Sequence, residues 1–309
     1  MNKDIKICFM GTPEFALNVL EMLNDEYTVT LVVTQPDRRG KRKIEESPVK
    51  KYAISRNLSL IQPEHIKEAF DEISKYEFDF LVTAAYGQII PLSIIHLAKI
   101  RALNVHGSLL PKGRGGAPIQ RAIMEDEEYT GVSIMRVVQK MDAGCVYAKR
   151  KIKIEDSDTT DSLMEKLSEI GSRELKEVID MMYSGKEINP EIQNEDEVTF
   201  TPVIKKEEEL IDFSWKARKV FNRIRALYSD PLAKFVHDGI TYTIFSSEVV
   251  EYKGNEKPGT ILDSSKKLII KCGDMAISIL EIQSPGKRRM NISDFLNGSR
   301  RLFEKGTLI

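Results

Sequence analysis

The sequence passes from an apolar run into a polar turn at Leu103-Asn104-Val105-His106-Gly107-Ser108-Leu109-Leu110-Pro111. Residues two apart in an extended strand project to the same side, so Asn104 and His106 are predicted to share a face. In open sheets of parallel strands, functional groups gather beyond the carboxyl ends of the strands. If the run ends a strand of such a sheet, Asn104 and His106 lie at the edge where ligands bind.

Short apolar runs alternate with helical patterns through the first part of the chain. The runs lie at Ile5–Met10, Thr28–Val33, Phe78–Ala85, Ala102–Val105 and Val132–Val138. The helical patterns lie at Glu14–Leu23, Val49–Arg56, Ile66–Ser74, Pro118–Glu125 and Asp161–Tyr183. Such alternation predicts an α/β fold with a mostly parallel, Rossmann-like sheet covered by helices.

The pattern breaks at residues 185–205, which contain Gly185, Pro190 and Pro202 around a polar middle. This composition is typical of a linker. A helical pattern at Trp215–Tyr228 and short apolar segments separated by turns follow, which predicts a small β domain. We therefore predict a first domain at 1–184, a linker at 185–205 and a second domain at 206–309.

The bulk composition fits an ordinary globular protein. The chain has 309 residues, of which 41% are hydrophobic and 30% charged, a length that suits two domains. No apolar run approaches the ~20 residues of a membrane span. Cys8, Cys145 and Cys272 are far apart and lack metal-binding spacing, so they are predicted to be reduced packing residues. Together these features predict a cytoplasmic protein.

The net charge of −1 conceals an asymmetry between the two parts of the chain. Residues 205–309 contain 19 Lys or Arg and 14 Asp or Glu, which leaves 27 against 33 for the first part. The second part is therefore mildly basic. This asymmetry is compatible with binding to nucleic acid, and equally with chance variation on a solvated surface.

Asn104, His106 and Asp142 offer the groups that the attack of an amine on a carbonyl carbon requires. The tetrahedral intermediate carries a negative oxygen, which the amide of Asn104 could stabilise. The amine must lose a proton, and an imidazole can take it near neutral pH. Asp142 could orient His106 and favour its charged form if the fold brings the two together. Alternatively, Asp142 caps the turn before Gly144.

Motifs along the whole chain, in order, resemble those of the tetrahydrofolate-dependent formyltransferases. They are Phe9-Met10-Gly11-Thr12-Pro13-Glu14-Phe15, Thr34-Gln35-Pro36-Asp37, Ser47-Pro48-Val49-Lys50, Ala85-Tyr86-Gly87, the stretch Asn104–Pro111, Gly115-Gly116-Ala117-Pro118-Ile119-Gln120, Thr130-Gly131-Val132-Ser133-Ile134-Met135, Met141-Asp142-Ala143-Gly144 and Pro258-Gly259-Thr260-Ile261. Within the family they are most similar to the branch that formylates methionyl initiator tRNA.

The resemblance implies a formyltransferase catalytic domain followed by a small, oligonucleotide-binding-like β-barrel that binds tRNA. It implies transfer of a formyl group from 10-formyltetrahydrofolate to the α-amine of methionyl initiator tRNA, by direct attack of the amine and without a metal. Asn104, His106 and Asp142 would be the catalytic residues. The enzyme is expected to act as a monomer that does not bind membranes.

The resemblance also implies two kinds of binding residue. Folate would contact the ends of two strands and the apolar stretch after His106, at Tyr86, Gly87, Gln88, Ser108, Leu109, Leu110 and Pro111. The tRNA phosphates would meet a first basic cluster at Arg38, Arg39, Lys41, Arg42 and Lys43, and a second basic cluster at Lys287, Arg288 and Arg289. Basic loops of this kind commonly neutralise phosphates, although a run of cations is often only a solvated surface.

Several other functions remain as alternatives. A nicotinamide-dependent enzyme is disfavoured because Gly11-Thr12-Pro13 lacks the three-glycine spacing and strand two ends at Thr34 without an acidic partner. A sugar-nucleotide N-formyltransferase would share the first domain, and a formyltetrahydrofolate hydrolase would use water in place of the amine. The alternative of another class is a non-enzymatic RNA-binding protein, against which the intact Asn104, His106 and Asp142 argue.

Overall fold

The computed structural model describes residues 1–39, 44–299 and 302–309, which form two compact units. The first unit comprises Met1–Pro118, Tyr129–Lys153 and Met164–Pro202, and the second comprises Ile119–Glu128, Ile154–Leu163 and Val203–Ile309. The division of the chain at 1–184, 185–205 and 206–309 stays a prediction.

A seven-stranded sheet with the order β5-β2-β1-β6-β7-β8-β9 forms the first unit. Its strands are β1 (Lys6–Gly11), β2 (Thr28–Val33), β5 (Leu60–Ile61), β6 (Phe80–Ala84), β7 (Arg101–His106), β8 (Tyr129–Arg136) and β9 (Val146–Lys153), while β3 (Arg38–Arg39) and β4 (Ile44–Glu45) pair only with each other. The first five strands of the order run parallel, and β8 and β9 are antiparallel to their neighbours. The predicted mostly parallel, Rossmann-like sheet is confirmed.

Up to residue 183, the helices of the chain are α1 (Glu14–Glu26), α2 (Pro48–Ser55), α3 (Phe70–Ile73), α4 (Leu92–Ile95), α5 (Pro118–Met124) and α6 (Thr160–Tyr183). Helix α2 begins where the Ser47 hydroxyl accepts a hydrogen bond from Lys50 N and Pro48 takes the first helical position. The single helix predicted over 66–74 is instead a 3₁₀ turn followed by α3, because Ala69 between them is not helical. No described helix is both long and apolar enough to cross a membrane.

The central strands are buried on both faces, whereas the edge strand is not. All five residues of β6 are buried, and in β1 only Lys6 is exposed. Strands covered on both sides give continuous apolar runs, which the sequence shows clearly. Strand β9 exposes Arg150, Lys151 and Lys153, as edge strands often do to prevent pairing with other chains. It therefore lacks an apolar run and was absent from the predicted strands.

The second unit contains an antiparallel half-barrel with the strand order β10-β11-β14-β13-β12, and β15 pairs with β14. Its elements are α7 (Ala217–Ala226), β10 (Ala233–His237), β11 (Ile240–Val250), β12 (Ile261–Asp263), β13 (Leu268–Lys271), β14 (Ala276–Gln283), β15 (Met290–Asn291) and α8 (Ile292–Ser299). Phe235 stacks on Tyr242, and Phe303 meets both rings edge-on. The predicted small β domain is confirmed, with α8 as an addition.

Residues 191–201, inside the predicted linker, pack on the first unit. Glu191 and Val146 exchange two backbone hydrogen bonds of 2.8 and 2.9 Å. Arg114 N donates to Thr199 O over 2.9 Å, and Thr201 N donates to Arg114 O over 2.8 Å. The polar composition of this segment therefore does not mean that its backbone lacks partners.

Candidate active site

Asn104 lies near the carboxyl end of β7, directly opposite Thr83 on the parallel strand β6. The buried Thr83 hydroxyl donates a hydrogen bond to Asn104 Oδ1 over 2.7 Å. This bond orients the Asn104 amide, with Oδ1 toward Thr83. Among the residues that the structure describes, none accepts a hydrogen bond from Asn104 Nδ2. The Asn104 amide thus keeps a donor for a ligand.

His106, the last residue of β7, is buried and held by the loop that follows it. Its Nε2 donates to Gly113 O over 2.8 Å. Its Nδ1 lies 3.8 Å from Asp142 Oδ1, which is longer than a direct hydrogen bond. The fold therefore brings the predicted pair together, and Nδ1 is the ring nitrogen without a direct hydrogen bond to a described residue.

Asp142 belongs to the turn between β8 and β9 and has a left-handed backbone with φ of 50°. Asp tolerates this region better than most residues. Its Oδ2 accepts a hydrogen bond from Gly115 N over 2.9 Å. At Gly144, a Cβ atom would lie 1.9 Å from Arg136 O, so only glycine fits there. The turn thus aims the Asp142 carboxylate at Gly115 and His106 and not at its own backbone.

Gln193 supports this turn, and sequence reasoning did not find it. The side chain is 7% exposed, and its Nε2 donates to Asp142 O over 2.8 Å and to Gly144 O over 2.7 Å. Its Oε1 accepts from Nε and Nη2 of Arg114, over 3.0 and 2.9 Å. Because Gln193 opens a polar run that predicts a linker, nothing in the local sequence marks it as buried.

Thr199 and Thr201 hold the loop that binds His106. The Thr199 hydroxyl accepts from Gly113 N over 2.9 Å, and the Thr201 hydroxyl donates to Gly113 O over 3.1 Å. The neighbouring Thr199 and Phe200 are both exposed, so the segment shows no alternation of packed and exposed side chains. No sequence signal therefore marks the two threonines as supports of the His106 loop.

The stretch predicted to contact folate closes its own turn and packs its leucines against β8 and β9. Ser108 Oγ donates to Lys112 O over 2.7 Å and closes the turn. Leu110 is buried in a cluster with Met135 and Val146. Leu109 is half-buried and packs over Gly131, where a Cβ atom would lie 2.4 Å from the leucine side chain. Pro111 follows a cis peptide bond and is buried.

The other predicted folate residues follow β6. Tyr86 is 4% exposed and packs in the hydrophobic core, and burial raises the pKa of its hydroxyl to about 12. Gln88 accepts from Ile66 N and donates to Glu64 O, over 2.9 and 3.1 Å. Gly87 has φ of 88°, a conformation that favours glycine. Gly87 can therefore offer its backbone atoms to a ligand. The Tyr86 side chain packs in the core, and the Gln88 side chain is bonded to the backbone of residues 64 and 66. The folate-binding assignment of all seven residues stays a prediction.

The first predicted tRNA-binding loop is described only at its base. Arg38 and Arg39 form β3, which pairs with β4, while Lys41, Arg42 and Lys43 lie outside the described residues. Asp37, just before β3, accepts hydrogen bonds from Gln62 and Lys50, which together hold the pKa of its carboxyl below the usual range. These contacts fix where the loop starts.

The second predicted tRNA-binding cluster divides into two kinds of cation. We call residues 286–289, between β14 and β15, the basic loop. Arg289 pairs with Glu281 and lies 4.5 Å above the Phe245 ring. Lys287 and Arg288 are exposed, and no described side chain pairs with either. Lys287 and Arg288 are therefore free to meet an external phosphate.

The carboxyl edge of the sheet, which we call the candidate catalytic edge, combines the available amide donor of Asn104 with the His106 imidazole and the Asp142 carboxylate. Such a set can stabilise a developing oxyanion and exchange a proton with a bound amine. In the part of the chain that the structure describes, no three metal-ligating side chains converge. Cys8 and Cys272 are buried, and burial raises the pKa of the Cys272 thiol to about 12, which is unsuited to a nucleophile.

Two protein-family models match the chain. The one described as formyl transferase matches residues 5–179, and the one described as formyl transferase, C-terminal domain, matches residues 203–300. Methionyl-tRNA formyltransferase of Mesoplasma florum is 43% identical over 296 residues, covering 94% of each chain. The protein of that name from Caldanaerobacter subterraneus is 41% identical over 311 residues, covering 99% of this chain and 100% of the relative.

Solved structures share the architecture at low sequence identity. Methionyl-tRNA formyltransferase from Clostridium thermocellum matches with a TM-score of 0.58 and 18% identity, covering 82% of this chain and 95% of its own. HypX from Aquifex aeolicus, in complex with tetrahydrofolic acid, matches with a TM-score of 0.66 and 19% identity. That match covers 96% of this chain, which spans 47% of the HypX chain. At such identities, the likeness supports the fold alone.

Proposed function

Because the chain belongs to the formyl transferase family, we propose that it transfers the formyl group of 10-formyltetrahydrofolate to the α-amino group of methionyl initiator tRNA. Relatives with 41–43% identity over nearly the whole chain, including the second unit, support tRNA as the acceptor. The observation that carries the chemistry is the Asn104 amide, which Thr83 orients and which keeps Nδ2 available.

The reaction proceeds by direct attack of the amine. The methionine nitrogen forms a bond to the formyl carbon, and the carbonyl oxygen becomes an oxyanion that accepts a hydrogen bond from Asn104 Nδ2. The bond between the formyl carbon and N10 of the folate then breaks. The amine loses one proton and N10 gains one, so the products are N-formylmethionyl-tRNA and tetrahydrofolate. Neither a covalent enzyme intermediate nor a metal is needed.

His106 exchanges these protons and Asp142 orients it. The Nε2 atom is bound to Gly113 O, so the exchange involves Nδ1, on the side of Asp142. An imidazole suits both directions of transfer because it can take and give a proton near neutral pH.

Binding of the two substrates involves different parts of the chain. We assign folate to Tyr86, Gly87 and Gln88 and to residues 108–111, where Gly87 has a left-handed backbone and Leu109 is half-buried. For tRNA we assign the basic residues 38–43 and the exposed Lys287 and Arg288 of the basic loop, with Arg289 orienting the loop. Translation initiation is the setting that this acceptor implies, so we propose a cytoplasmic enzyme. We also propose that it acts as a monomer.

Incubation of the full chain with 10-formyltetrahydrofolate tests the proposal. Separate samples receive charged initiator tRNA, an amino sugar nucleotide, or buffer alone, and the release of tetrahydrofolate and the formylated product are measured. We expect rapid release only with the charged tRNA. Equal release in buffer would indicate a hydrolase, and preference for the sugar would indicate a sugar-nucleotide enzyme. Binding of tRNA without any release would indicate a non-enzymatic protein.

A further inference from the structure

The polar segment 191–201 contacts both backbone stretches that hold the candidate catalytic residues. We propose that Gln193 and Thr201 in this segment are positioning residues that fix Asp142 and His106 in their working geometry. The inference rests on the proposed function, because it concerns the same candidate catalytic edge.

Every hydrogen-bonding position of the Gln193 amide is used within the protein. A glutamine side chain has two N–H donors and two acceptor lone pairs. Both donors go to the turn, at Asp142 O and Gly144 O, and Oε1 accepts two bonds from Arg114. Since the side chain is 7% exposed, water cannot easily replace a lost partner. The amide therefore fixes the position of the turn relative to Arg114.

Arg114 connects Gln193 to the loop that binds His106. This arginine is 1% exposed and stands between Gly113, whose carbonyl binds His106, and Gly115, whose N–H binds Asp142. The Arg114–Gln193 pair thus links the backbone on both sides of the His106–Asp142 contact.

The His106–Asp142 distance explains why this support matters for turnover. At 3.8 Å between Nδ1 and Oδ1, the two groups are not joined by a direct hydrogen bond, so their separation depends on the backbone that carries each of them. A displacement of about 1 Å in a catalytic group can reduce turnover about 10²-fold. A substitution at Gln193 or Thr201 should therefore reduce kcat more than it alters the affinity for either substrate.

Thr201 supplies an independent contact to the same arrangement. Its hydroxyl lies 3.1 Å from both Gly113 O and Arg114 O, and these two carbonyls share its one proton. The Gly113 carbonyl therefore accepts from both Thr201 and His106. Removal of the hydroxyl leaves His106 as the side-chain partner of this carbonyl, so the carbonyl is held less firmly.

The main test is Gln193→Glu, which retains an acceptor for Arg114 but places a carboxylate against Asp142 O and Gly144 O. We expect kcat to fall about 10- to 100-fold, with the KM for each substrate changed less than about twofold. The matched control is Asn194→Asp, which makes the same amide-to-carboxylate change on the neighbouring, exposed side chain. The Asn194 side chain contacts Asp196 N and Glu197 within its own segment, so kcat should stay near that of the wild type.

A second pair of variants introduces no charge. Thr201→Val should lower kcat at unchanged KM, and Thr201→Ser, which keeps the hydroxyl, should restore it. Folate-analogue affinity and circular dichroism establish that each variant is folded, and if Gln193→Glu does not fold, the Thr201 pair decides. Folded variants that keep kcat within twofold of the wild type would overturn the positioning role. Failure of the wild type to formylate tRNA would instead overturn the proposed function.

Discussion

The candidate catalytic edge of the first unit and the basic loop of the second unit use polar side chains in opposite ways. At the edge, Asn104 Oδ1, His106 Nε2 and Asp142 Oδ2 each make a hydrogen bond to another part of the protein. In the basic loop, Lys287 and Arg288 are exposed, and no described side chain pairs with them.

This difference indicates two kinds of sensitivity to substitution. At the edge, the direction of each group matters, so a change that keeps size but removes one hydrogen bond should reduce turnover. In the loop, charge near a phosphate matters and exact direction does not, because counterion release depends on the number of neutralised phosphates. Four predictions test this contrast.

The largest effect is expected for Asn104→Ala. Loss of one oxyanion donor typically reduces turnover ~10²–10³-fold, about 2.7–4 kcal/mol. The kcat measured with saturating folate and tRNA should fall by this factor, while the affinity for a folate analogue changes little. A variant that keeps a third or more of the wild-type kcat would remove Asn104 from the mechanism.

Thr83→Val should have a smaller effect by the same route. Valine has the shape of threonine but cannot donate to Asn104 Oδ1, so the amide loses the bond that orients it. We expect kcat to fall about two- to tenfold, which corresponds to a neutral hydrogen bond of roughly 0.5–1.5 kcal/mol. Thr83→Ser keeps the donor and serves as the control. Equal kcat in the serine and valine variants would show that Asn104 is oriented by something else.

Sequence reasoning succeeded where a pattern was continuous along the chain. The buried strands β1 and β6 give unbroken apolar runs, and the motifs from Phe9 to Ile261 lie within the regions matched by both family models. The predicted family and enzyme class are confirmed on these grounds. Asn104 and His106 could be nominated because their spacing in one strand carries chemical meaning.

The residues that support the candidate catalytic edge could not be predicted, because their partners are distant in sequence. Gln193 meets Asp142 across 51 positions, and a lone glutamine in a polar segment reads as solvent-exposed. Thr83 reads as an ordinary strand residue until β6 is placed beside β7. Similarly, Lys287, Arg288 and Arg289 form a uniform basic run in sequence, and only the fold shows that Arg289 packs over Phe245.

The double substitution Lys287→Ala with Arg288→Ala tests the charge-dependent region. Exposed charge contacts contribute roughly 0.2–1 kcal/mol each, so the loss of two should lower tRNA affinity about two- to thirtyfold. The slope of log affinity against log salt should decrease by roughly 0.7–0.9 for each lost phosphate contact. Stability should not change, because neither side chain has a described partner.

Lys266→Ala with Lys267→Ala is the matched control for this double substitution. It removes two exposed cations from the turn between β12 and β13 of the same unit. An equal loss of affinity in both double variants would mean that tRNA responds to net charge and not to the basic loop.

The smallest effect is expected for Arg289→Ala, and it should appear in stability. Arg289 pairs with Glu281 and covers the Phe245 ring, and the pair holds the pKa of the Glu281 carboxyl below its usual range. A lowered pKa in the folded state adds stability above the unfolded value, about 4.3, and this contribution is lost as the pH falls through the folded value. The free energy of unfolding in urea at pH 7 should therefore fall by about 0.5–1 kcal/mol. The difference from the wild type should narrow at acidic pH, as Glu281 becomes protonated in both proteins.

If Arg289→Ala left stability unchanged and weakened tRNA binding as much as the Lys287 and Arg288 double variant, Arg289 would belong with the free cations.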